Sequence, residues 1–345
     1  MKNLLMVIAL AVFCATFFFG CVESPTGPVV KPEVGTLTVE VNVSAPAQQL
    51  VMGEVNQAVI IIKMTAENED IKISQIPVGD ITAAESAGTL KNLCLYDGDV
   101  KVAGPVQLSY KYIYAVASFS DLGIIIPRGA TKSFKLKTDV STPADGAISG
   151  STHMFALMTD EPIVATGVSS GQPVKVTQWG PQAANPIAVY RTKILVEWAS
   201  DSPSGATVGH STQIVAKVRI TNVLNPGNRA AIIKYVNVRL TTNISNTAAR
   251  ALAVYEDNTS IAALGVTNWV VNGDTRFDDS MTDVVIAPGA SKLFIFTLDT
   301  TDANRTGDFY LDVGMGQGDI GWDDSAGNII ATVDTLPLST KRLAY

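Results

Sequence analysis

The sequence carries one eleven-residue segment twice, as IIIPRGATKSF at residues 124–134 and as VVIAPGASKLF at residues 284–294. In each copy an apolar run enters a turn that contains Pro and Gly, and a second run of β-forming residues follows. This order is typical of a strand, a tight turn and a second strand. The repetition therefore predicts two tandem domains that share one fold.

Other matches between the two halves follow in the same order, with offsets between 156 and 162 residues. A match that drifts slightly but keeps its order indicates duplication of one domain, with small insertions in loops. The predicted equivalences are Gly53 with Gly209, Gln57 with Gln213, Lys63 with Arg219, Ile71 with Ile233, Leu93–Asp97 with Leu252–Glu256, Lys132 with Lys292, Asp139 with Asp299, Phe155 with Leu311, and Gly171 with Gly327.

The spacing of apolar residues indicates strands throughout both halves. Residues 36–43 alternate strictly between polar side chains and Leu or Val, which is the period of a half-buried strand. Further runs of Val, Ile and aromatic residues follow, and turn signals separate them about every ten residues. Helical periodicity is not sustained anywhere in the two halves. The pattern predicts an all-β chain with two tandem β-sandwich domains.

Turn-rich stretches divide the chain into five predicted parts. Residues 179–190 contain two Gly-Pro or Asn-Pro turns and few core-forming side chains, so they are assigned to a linker. The complete prediction is a signal peptide at 1–20, a flexible tether at 21–34, a first sandwich repeat at 35–178, the linker at 179–190 and a second repeat at 191–345.

Five segments of the first half resemble the immunoglobulin-like repeats of secreted and cell-surface proteins in bacteria with reduced genomes. The resemblance is looser in the second half. It implies that both domains are immunoglobulin-like β-sandwiches in a surface protein, and it transfers no active site. The segments are Gly35–Val39, Asn68–Ile71, Leu95–Gly98, Ile126–Lys132 and Val164–Gly171.

Composition excludes several classes of protein. A chain of 345 residues with 47% hydrophobic residues is not disordered, and each half is long enough to bury a core of its own. The net charge of −7 leaves no basic surface for nucleic acid or for anionic lipid. Of the three cysteines, Cys14 and Cys21 lie near the N-terminus. Cys94, between Leu93 and Leu95, is predicted to be a small buried residue.

The first residues predict export and attachment to a membrane. Lys2 precedes an apolar run at residues 4–19, which has the length of a signal peptide. The Gly20-Cys21 pair that follows resembles a bacterial lipobox, although Phe18 and Phe19 replace its usual residues. The resemblance implies cleavage before Cys21 and diacylation of its thiol, which would place the protein at the extracytoplasmic face or cell surface. An uncleaved N-terminal anchor is the alternative.

Two patterns are considered as candidate catalytic sites. Residues 167–171 satisfy G-x-S-x-G around Ser169, but a nucleophile elbow needs a helix after it, and residues 173–176 have a strand pattern instead. The two histidines, His153 and His210, lack metal-ligand spacing and are expected to be ordinary surface or edge residues. Neither a zinc site nor a Ser-His-Asp triad is therefore predicted.

Acidic loops and tryptophans are the remaining candidates for ligand binding. Oxygen ligands on loops suit calcium, but Asp and Asn also favour turns, and no EF-hand spacing occurs, so no metal is assigned. The acidic sets are Asn272, Gly273, Asp274, Asp278, Asp279 and Asp283; Asp319, Asp323 and Asp324; and Asp299, Asp302 and Asn304.

Exposed tryptophans could stack on sugar rings, although packing at a sheet end is favoured for all four. Trp198 alternates with Ile194 and Val196 and is predicted to lie in a core. Trp269, next to Val270 and Val271, fits either a packed or an exposed position, and Trp179 is the fourth tryptophan. Trp322, between Gly321 and an acidic pair, is predicted to be the most exposed of the four.

The sequence therefore predicts a non-enzymatic lipoprotein of the cell envelope with a structural or adhesive role. A carbohydrate- or glycan-binding surface lipoprotein, using Trp322 or Trp269 with the acidic loops, is the alternative, and an envelope hydrolase is a third class. The predicted partner is the membrane, through a lipid on Cys21, with envelope glycans or other surface proteins as open candidates. No cofactor, nucleic acid or small-molecule substrate is indicated.

Overall fold

The computed structural model describes residues 33–42, 49–82, 87–111, 113–178, 183–205, 211–242, 250–260, 262–269, 274–275, 277, 281–301 and 310–344. The predicted signal peptide, Cys21 and His210 lie outside these residues, as does the predicted tether up to residue 32.

The first half of the described chain contains fifteen strands and two single-turn 3-10 segments, Ala87–Thr89 and Pro143–Asp145. The strands are β1 (Thr36–Asn42), β2 (Gln49–Val51), β3 (Gln57–Glu67), β4 (Ile71–Asp80), β5 (Leu90–Asp97), β6 (Val100–Val106), β7 (Ser109–Lys111), β8 (Tyr114–Phe119), β9 (Ile124–Ile126), β10 (Thr131–Val140), β11 (Ser151–His153), β12 (Phe155–Leu157), β13 (Val164–Gly167), β14 (Lys175–Gln178) and β15 (Ile187–Tyr190).

The second half of the described chain contains thirteen strands. They are β16 (Ile194–Trp198), β17 (Thr212–Asn222), β18 (Ala231–Val236), β19 (Val238–Thr242), β20 (Arg250–Glu256), β21 (Gly265–Trp269), β22 (Asp274–Thr275), β23 (Val284–Ile286), β24 (Ser291–Asp299), β25 (Tyr310–Met315), β26 (Ile320–Asp323), β27 (Ile329–Ile330) and β28 (Leu338–Ala344).

Two main sheets enclose the core of the first half. One has the strand order β14-β1-β3-β10-β5-β6. In the other, β4 is central: β8 and β12 pair with its C-terminal part, and β9 and β13 pair with its N-terminal part. A small third sheet, with the order β11-β15-β2, closes one end.

The second half repeats this arrangement. Its sheet order is β16-β17-β24-β20-β21, in which the strands correspond in turn to β1, β3, β10, β5 and β6. Opposite this sheet, β18 pairs with β23 and β26, and β19 pairs with β22 and β25. Together β18 and β19 occupy the place that the single strand β4 has in the first half. The all-β prediction of two tandem immunoglobulin-like sandwiches is confirmed.

Each half buries its own apolar core. One cluster runs from Leu37 to Val189 and the other from Ile194 to Leu343. The side chains alternate along the strands, so that every second residue is buried along β1 and along β10 from Phe134 onward. Cys94, on β5, is only half-buried. Its partial desolvation disfavours the thiolate and raises the pKa of the Cys94 thiol.

The repeated segment adopts the same turn in both halves. Gly129 and Gly289 have φ values of 73° and 72°, in the left-handed region that glycine occupies without a steric penalty. Their amides donate to equivalent carbonyls, Gly129 to Ala66 and Gly289 to Asn222, both at 2.8 Å. The first turn joins β9 to β10, and the second joins β23 to β24. In each case the glycine amide also attaches the turn to the end of a third strand, β3 or β17.

The division between the sandwiches lies close to the predicted linker. Residues 183–190 of the predicted linker include β15, and Ile187 and Val189 are fully buried in the first core. The second core begins at Ile194. We propose that the domain boundary lies between Tyr190 and Ile194, because these residues separate the two clusters of buried side chains.

Candidate functional site at the junction of the sandwiches

Polar contacts join the two sandwiches across their junction. Gln49, on β2, donates from Nε2 to the carbonyl of Thr332 at 2.6 Å. Lys193 donates from Nζ to the carbonyl of Gln49 at 3.2 Å and forms an ion pair with Asp334 at 2.6 Å. The side chains of Lys193 and Asp334 are only 17% and 19% exposed, so solvent screens this pair less than it screens a surface pair.

A second set of contacts is centred on Asp324, whose side chain is fully buried. Its carboxylate accepts hydrogen bonds from the hydroxyl of Ser149 and from the backbone N–H of Arg191, the latter at 2.7 Å. The guanidinium of Arg191 donates to the carbonyl of Ser325 at 2.7 Å. One buried carboxylate of the second sandwich thereby holds a loop of the first sandwich and the connecting segment together.

Apolar contacts complete the junction. The ring of Tyr190 meets the ring of Trp322 edge to face, with the centroids 5.8 Å apart. Gly53 lies against Pro226 of the second sandwich, where an added Cβ would come within 3.0 Å of the proline. Gly53 also has a φ of 87°, so glycine meets both requirements at this position.

A groove opens between the sandwiches beside these contacts. Its volume is about 290 Å³, which is near the lower limit of about 300–1,000 Å³ for small-ligand sites. Polar side chains line one part of it and an apolar surface lines the rest. The polar lining consists of Gln49, Thr152, Thr332 and Asp334, and the apolar lining of Pro186, Ala188, Tyr190 and Val333.

His153 is not the surface or edge residue that the sequence predicts. It is fully buried, and its Nδ1 lies 2.6 Å from Oδ2 of Asp80, while its Nε2 lies 3.2 Å from the hydroxyl of Ser151. The three side chains therefore have the order of a Ser-His-Asp triad, which the sequence did not predict. The prediction failed because Asp80 and Ser151 belong to different strands, which only the folded sheets bring together.

The surroundings of this triad support a structural role. Oδ1 of Asp80 accepts hydrogen bonds from the backbone N–H groups of Thr82 and Met154, at 3.2 and 3.1 Å. These donors are directed at the carboxylate, whereas an acyl-transfer site needs donors directed at a substrate oxygen. Ser151 itself lies within β11, which pairs with β15 along its length. The network connects the end of β4 to β11 and β12.

The G-x-S-x-G segment forms a turn between β13 and β14, and the next described element is a strand. The carboxylate of Glu69 organises this turn: it accepts from the amides of Ser169 and Ser170 at 2.8 and 2.9 Å, and from the hydroxyl of Ser170 at 2.6 Å. These hydrogen bonds, the Ser170 hydroxyl first, lower the pKa of Glu69 to about 2. The Glu69 carboxylate therefore stabilises this turn through hydrogen bonds. The turn leads into a strand and not into the helix that a nucleophile elbow requires.

The prediction that Trp322 is exposed is wrong. Its side chain is 0% exposed and lies in the core of the second sandwich. Trp198 packs against the same core and donates from Nε1 to the carbonyl of Ser339 at 2.7 Å. Trp179 and the side chain of Trp269 lie outside the described residues.

The acidic residues that the structure describes are held by donors of the chain itself. Asp319 accepts from Arg239 and from the amide of Gly316, at 2.8 and 2.6 Å. Asp283 pairs with Lys234 at 2.6 Å. Among the described residues, no group of three or more His, Cys, Asp or Glu side chains is placed to hold a metal ion.

The other members of the acidic sets are either used in turns or fall outside the described part. Asp323 accepts from the amides of Ala326 and Gly327, both at 3.1 Å, and Asp299 accepts from the amide of Thr301 at 2.9 Å. Those outside the described part are Asn272, Gly273, the side chain of Asp274, Asp278, Asp279, Asp302 and Asn304.

The sequence analysis did not single out the junction residues Gln49, Lys193 and Asp334, nor Asp80. A signal was available for Asp80, because it follows the apolar run 76–79 directly and ends a strand whose last five residues are all buried. An acidic residue in such a place needs partners. No comparable signal marks Gln49 or Lys193, since their contacts join residues more than 140 positions apart.

Among the comparisons with known proteins, only the one with solved structures finds proteins similar to this chain. No family model matches the sequence, and no curated protein matches it. The major pilin subunit of Bacillus cereus is 12% identical, with a TM-score of 0.23 over 90% of this chain and 66% of the pilin. This chain therefore spans just under two thirds of that protein.

Two further structures give lower scores. A serine-rich repeat protein from Streptococcus agalactiae is 9% identical, with a TM-score of 0.19 over 90% of this chain and 92% of that one. The collagen adhesin of S. aureus is 8% identical, with a TM-score of 0.13 over 91% and 92%. TM-scores this low give no basis for transferring a function to this chain. Within its described residues, no helix has both the length and the apolar character needed to cross a bilayer.

Proposed function

We propose that the protein is a non-enzymatic lipoprotein of the cell envelope, in which two immunoglobulin-like sandwiches form one stiff unit with a structural or adhesive role. A lipid on Cys21 tethers the unit to the extracytoplasmic face of the membrane. Other surface proteins or envelope glycans are the partners that such a unit would meet.

The junction is the observation that carries the proposal. Sandwich domains joined by a linker alone reorient freely, because few contacts oppose their motion. Here a buried carboxylate, a half-buried ion pair and an aromatic contact all connect the sandwiches. Removing one partner from a buried set of this kind leaves unpaired polar groups, which is costly. These contacts favour a single orientation of the two sandwiches.

A stiff pair of sandwiches suits a protein that presents a binding surface away from the membrane better than it suits an enzyme. The two polar arrangements that resemble catalytic motifs, at Ser151 and at Ser169, are both explained by the strands and the turn that they hold. A short tether would keep the first sandwich near the membrane and project the second sandwich away from it. The surface presented in this way is the functional part of the protein.

The anchor is tested by replacing Cys21 with serine. We expect Cys21→Ser to release the protein from membranes or to leave the precursor uncleaved, because serine lacks the thiol that is acylated. Fractionation of cells that express the full chain, followed by mass measurement of the protein, checks this result. Cys94→Ser is the matched control, since it removes the other thiol beyond residue 20 and should leave the attachment unchanged.

Two outcomes contradict lipidation. In the first, Cys21→Ser protein is processed and membrane-bound like the unmodified chain. In the second, the unmodified chain keeps residues 1–20 and carries no added lipid mass. The second result would support the uncleaved N-terminal anchor instead.

A further inference from the structure

Three lysines stand together on the outer face of the main sheet in the first sandwich. Lys135, on β10, lies directly opposite Tyr96 of β5, and Tyr96 lies directly opposite Lys101 of β6. Lys137 is two residues further along β10, and its Nζ lies 4.5 Å from the centroid of the Tyr96 ring. Along β5 and β10 these side chains alternate with buried core residues, so they point away from the core. Lys101, Lys135 and Lys137, with Tyr96 between them, are called the lysine face.

The charges of the lysine face are not neutralised within the described part of the chain. Lys101 and Lys135 form no ion pair or hydrogen bond with a described residue, and Lys137 has only its contact with the tyrosine ring. Asp139, the one carboxylate of β10, already accepts hydrogen bonds from two asparagines, and Asp99 lies exposed in the turn after β5. The face keeps a surplus of positive charge, which the net charge of −7 for the whole chain does not reveal.

The second repeat shows that the fold itself does not require these lysines. In its equivalent sheet, Tyr255 of β20 is the counterpart of the tyrosine, and it lies directly opposite Ile295 of β24. Ile295 and Thr297, which correspond to Lys135 and Lys137, are buried. The exposed or half-buried lysines are therefore a property of the first sandwich alone.

The chemistry of the lysine face disfavours a protein or a membrane as the partner. None of the exposed large apolar side chains of the described residues lies on β3, β5 or β10, which form the centre of this face. A protein interface needs such side chains as anchors, and lysine is depleted from its core. Insertion between lipids needs them as well. The three strands are paired on both sides, so no peptide strand can add to them.

The spacing of the lysines fits anionic groups that repeat along a chain. Lys101 and Lys135 lie two strands apart, or about 10 Å, and Lys137 lies about 7 Å from Lys135 along β10. An ammonium group is a point charge that does not grip one anion with two parallel hydrogen bonds, so three lysines suit three separate anions.

A chain of acidic sugars meets this spacing. The distance between neighbouring strands is close to the length of one sugar ring, so a carboxylate on each sugar brings an anion near each lysine. Contacts between exposed charges are individually weak, and a flexible polymer would lose more conformational freedom than they return. A polysaccharide is stiff, so it loses less of that freedom on binding.

We propose that the lysine face binds an acidic polysaccharide, in which carboxylates of successive sugars contact Lys101, Lys135 and Lys137. The proposal names the chemistry of one envelope partner and so rests on the envelope role proposed above. It does not depend on acylation of Cys21. Both apolar cores lie within residues 37–343, so binding can be measured on residues 33–345, which lack the predicted signal peptide and Cys21.

Fluorescence anisotropy with a labelled oligomer of galacturonic acid tests the proposal on residues 33–345. We expect a dissociation constant on the order of 0.1 mM at low salt. Raising the ionic strength from about 0.05 to about 0.2 M should weaken binding severalfold, because salt screens exposed charges. The double variant with Lys135→Gln and Lys137→Gln should weaken it by about fivefold to tenfold, and Lys101→Gln, on an edge strand, by about twofold to fivefold. Replacing Lys135 and Lys137 with arginine keeps the charges and should preserve binding.

The double variant with Lys72→Gln and Lys175→Gln is the matched control. It removes two exposed charges from other places on the same sandwich and should change binding by less than about twofold. The proposal is overturned if this control weakens binding as much as the Lys135 and Lys137 pair does, because net charge alone would then explain the result. Equal binding of polyglutamate would overturn it as well, since any acidic chain would then suffice. Binding to phosphatidylglycerol vesicles without binding to the sugar oligomer would make the face a membrane contact instead.

Discussion

Asp80→Ala is expected to lower the free energy of unfolding of the first sandwich by about 3–5 kcal/mol, which is the usual cost of breaking a buried pair. Asp80 and His153 are both fully buried, and the carboxylate accepts from His153, Met154 and Thr82. Alanine would leave these donors unpaired in the interior, where water cannot replace the carboxylate. The midpoint of thermal unfolding should fall by roughly 10 °C in far-UV circular dichroism.

Two further variants separate the network from a general effect of removing an acid. Asp80→Asn keeps an acceptor oxygen for the amides and should cost less than Asp80→Ala. Glu40→Ala removes an exposed carboxylate from a strand of the same sandwich, and it should change the free energy of unfolding by no more than about 0.5 kcal/mol. Equal effects of Asp80→Ala and Glu40→Ala would show that the network does not hold the fold.

Trp322→Ala is expected to lower the free energy of unfolding of the second sandwich by about 3–5 kcal/mol, which is typical of a buried tryptophan. The side chain is 0% exposed and is among the largest fully buried side chains of the protein. Its removal would leave a cavity and would also take away the edge-to-face partner of Tyr190 at the junction. Chemical unfolding followed by the far-UV signal checks this result.

One phenylalanine variant and one comparison at Trp198 refine the prediction for Trp322. The indole N–H of Trp322 has no partner among the described residues, whereas that of Trp198 donates to Ser339. Trp322→Phe therefore removes volume but no hydrogen bond, and it should cost less than half as much as Trp322→Ala. The half-buried Trp198 serves as the comparison, and Trp198→Ala should destabilise less than Trp322→Ala. A reversed order of the two alanine variants would contradict the burial described for Trp322.

The fold was predictable because the signals that define it are local. Alternating side chains mark each strand, and the two Pro-Gly turns require glycine at Gly129 and Gly289 whatever the surroundings are. Duplication made these signals stronger, since a pattern that occurs twice is less easily mistaken for chance. The strand order of the second sandwich then follows that of the first.

Trp322 was misjudged because its position between Gly321 and an acidic pair was taken to indicate exposure. Gly321 lies within β26, where an added Cβ would come within 2.1 Å of the ring of Tyr235. Its role is to let that ring pack closely against the strand. The acid after the strand, Asp324, is buried at the junction rather than solvated in a loop. Both features depend on partners far away in the sequence.

The junction could not have been predicted from either repeat alone. Ser149, Arg191 and Asp324 converge because the sandwiches lie in one particular orientation, which no local pattern encodes. Gln49 and Lys193 are likewise inconspicuous as single residues. The contacts that join the two repeats therefore have no counterpart in the pattern that the repeats share.

Amide residual dipolar couplings measured on the purified protein test the stiffness of the two-sandwich unit most directly. We expect one alignment tensor to fit the couplings of both sandwiches, because the contacts of Asp324 and of the Lys193–Asp334 pair fix their orientation. The double variant with Lys193→Ala and Asp324→Ala should instead need two tensors. Two tensors of clearly different magnitude in the unmodified protein would contradict a stiff unit, because they would show that the sandwiches move independently.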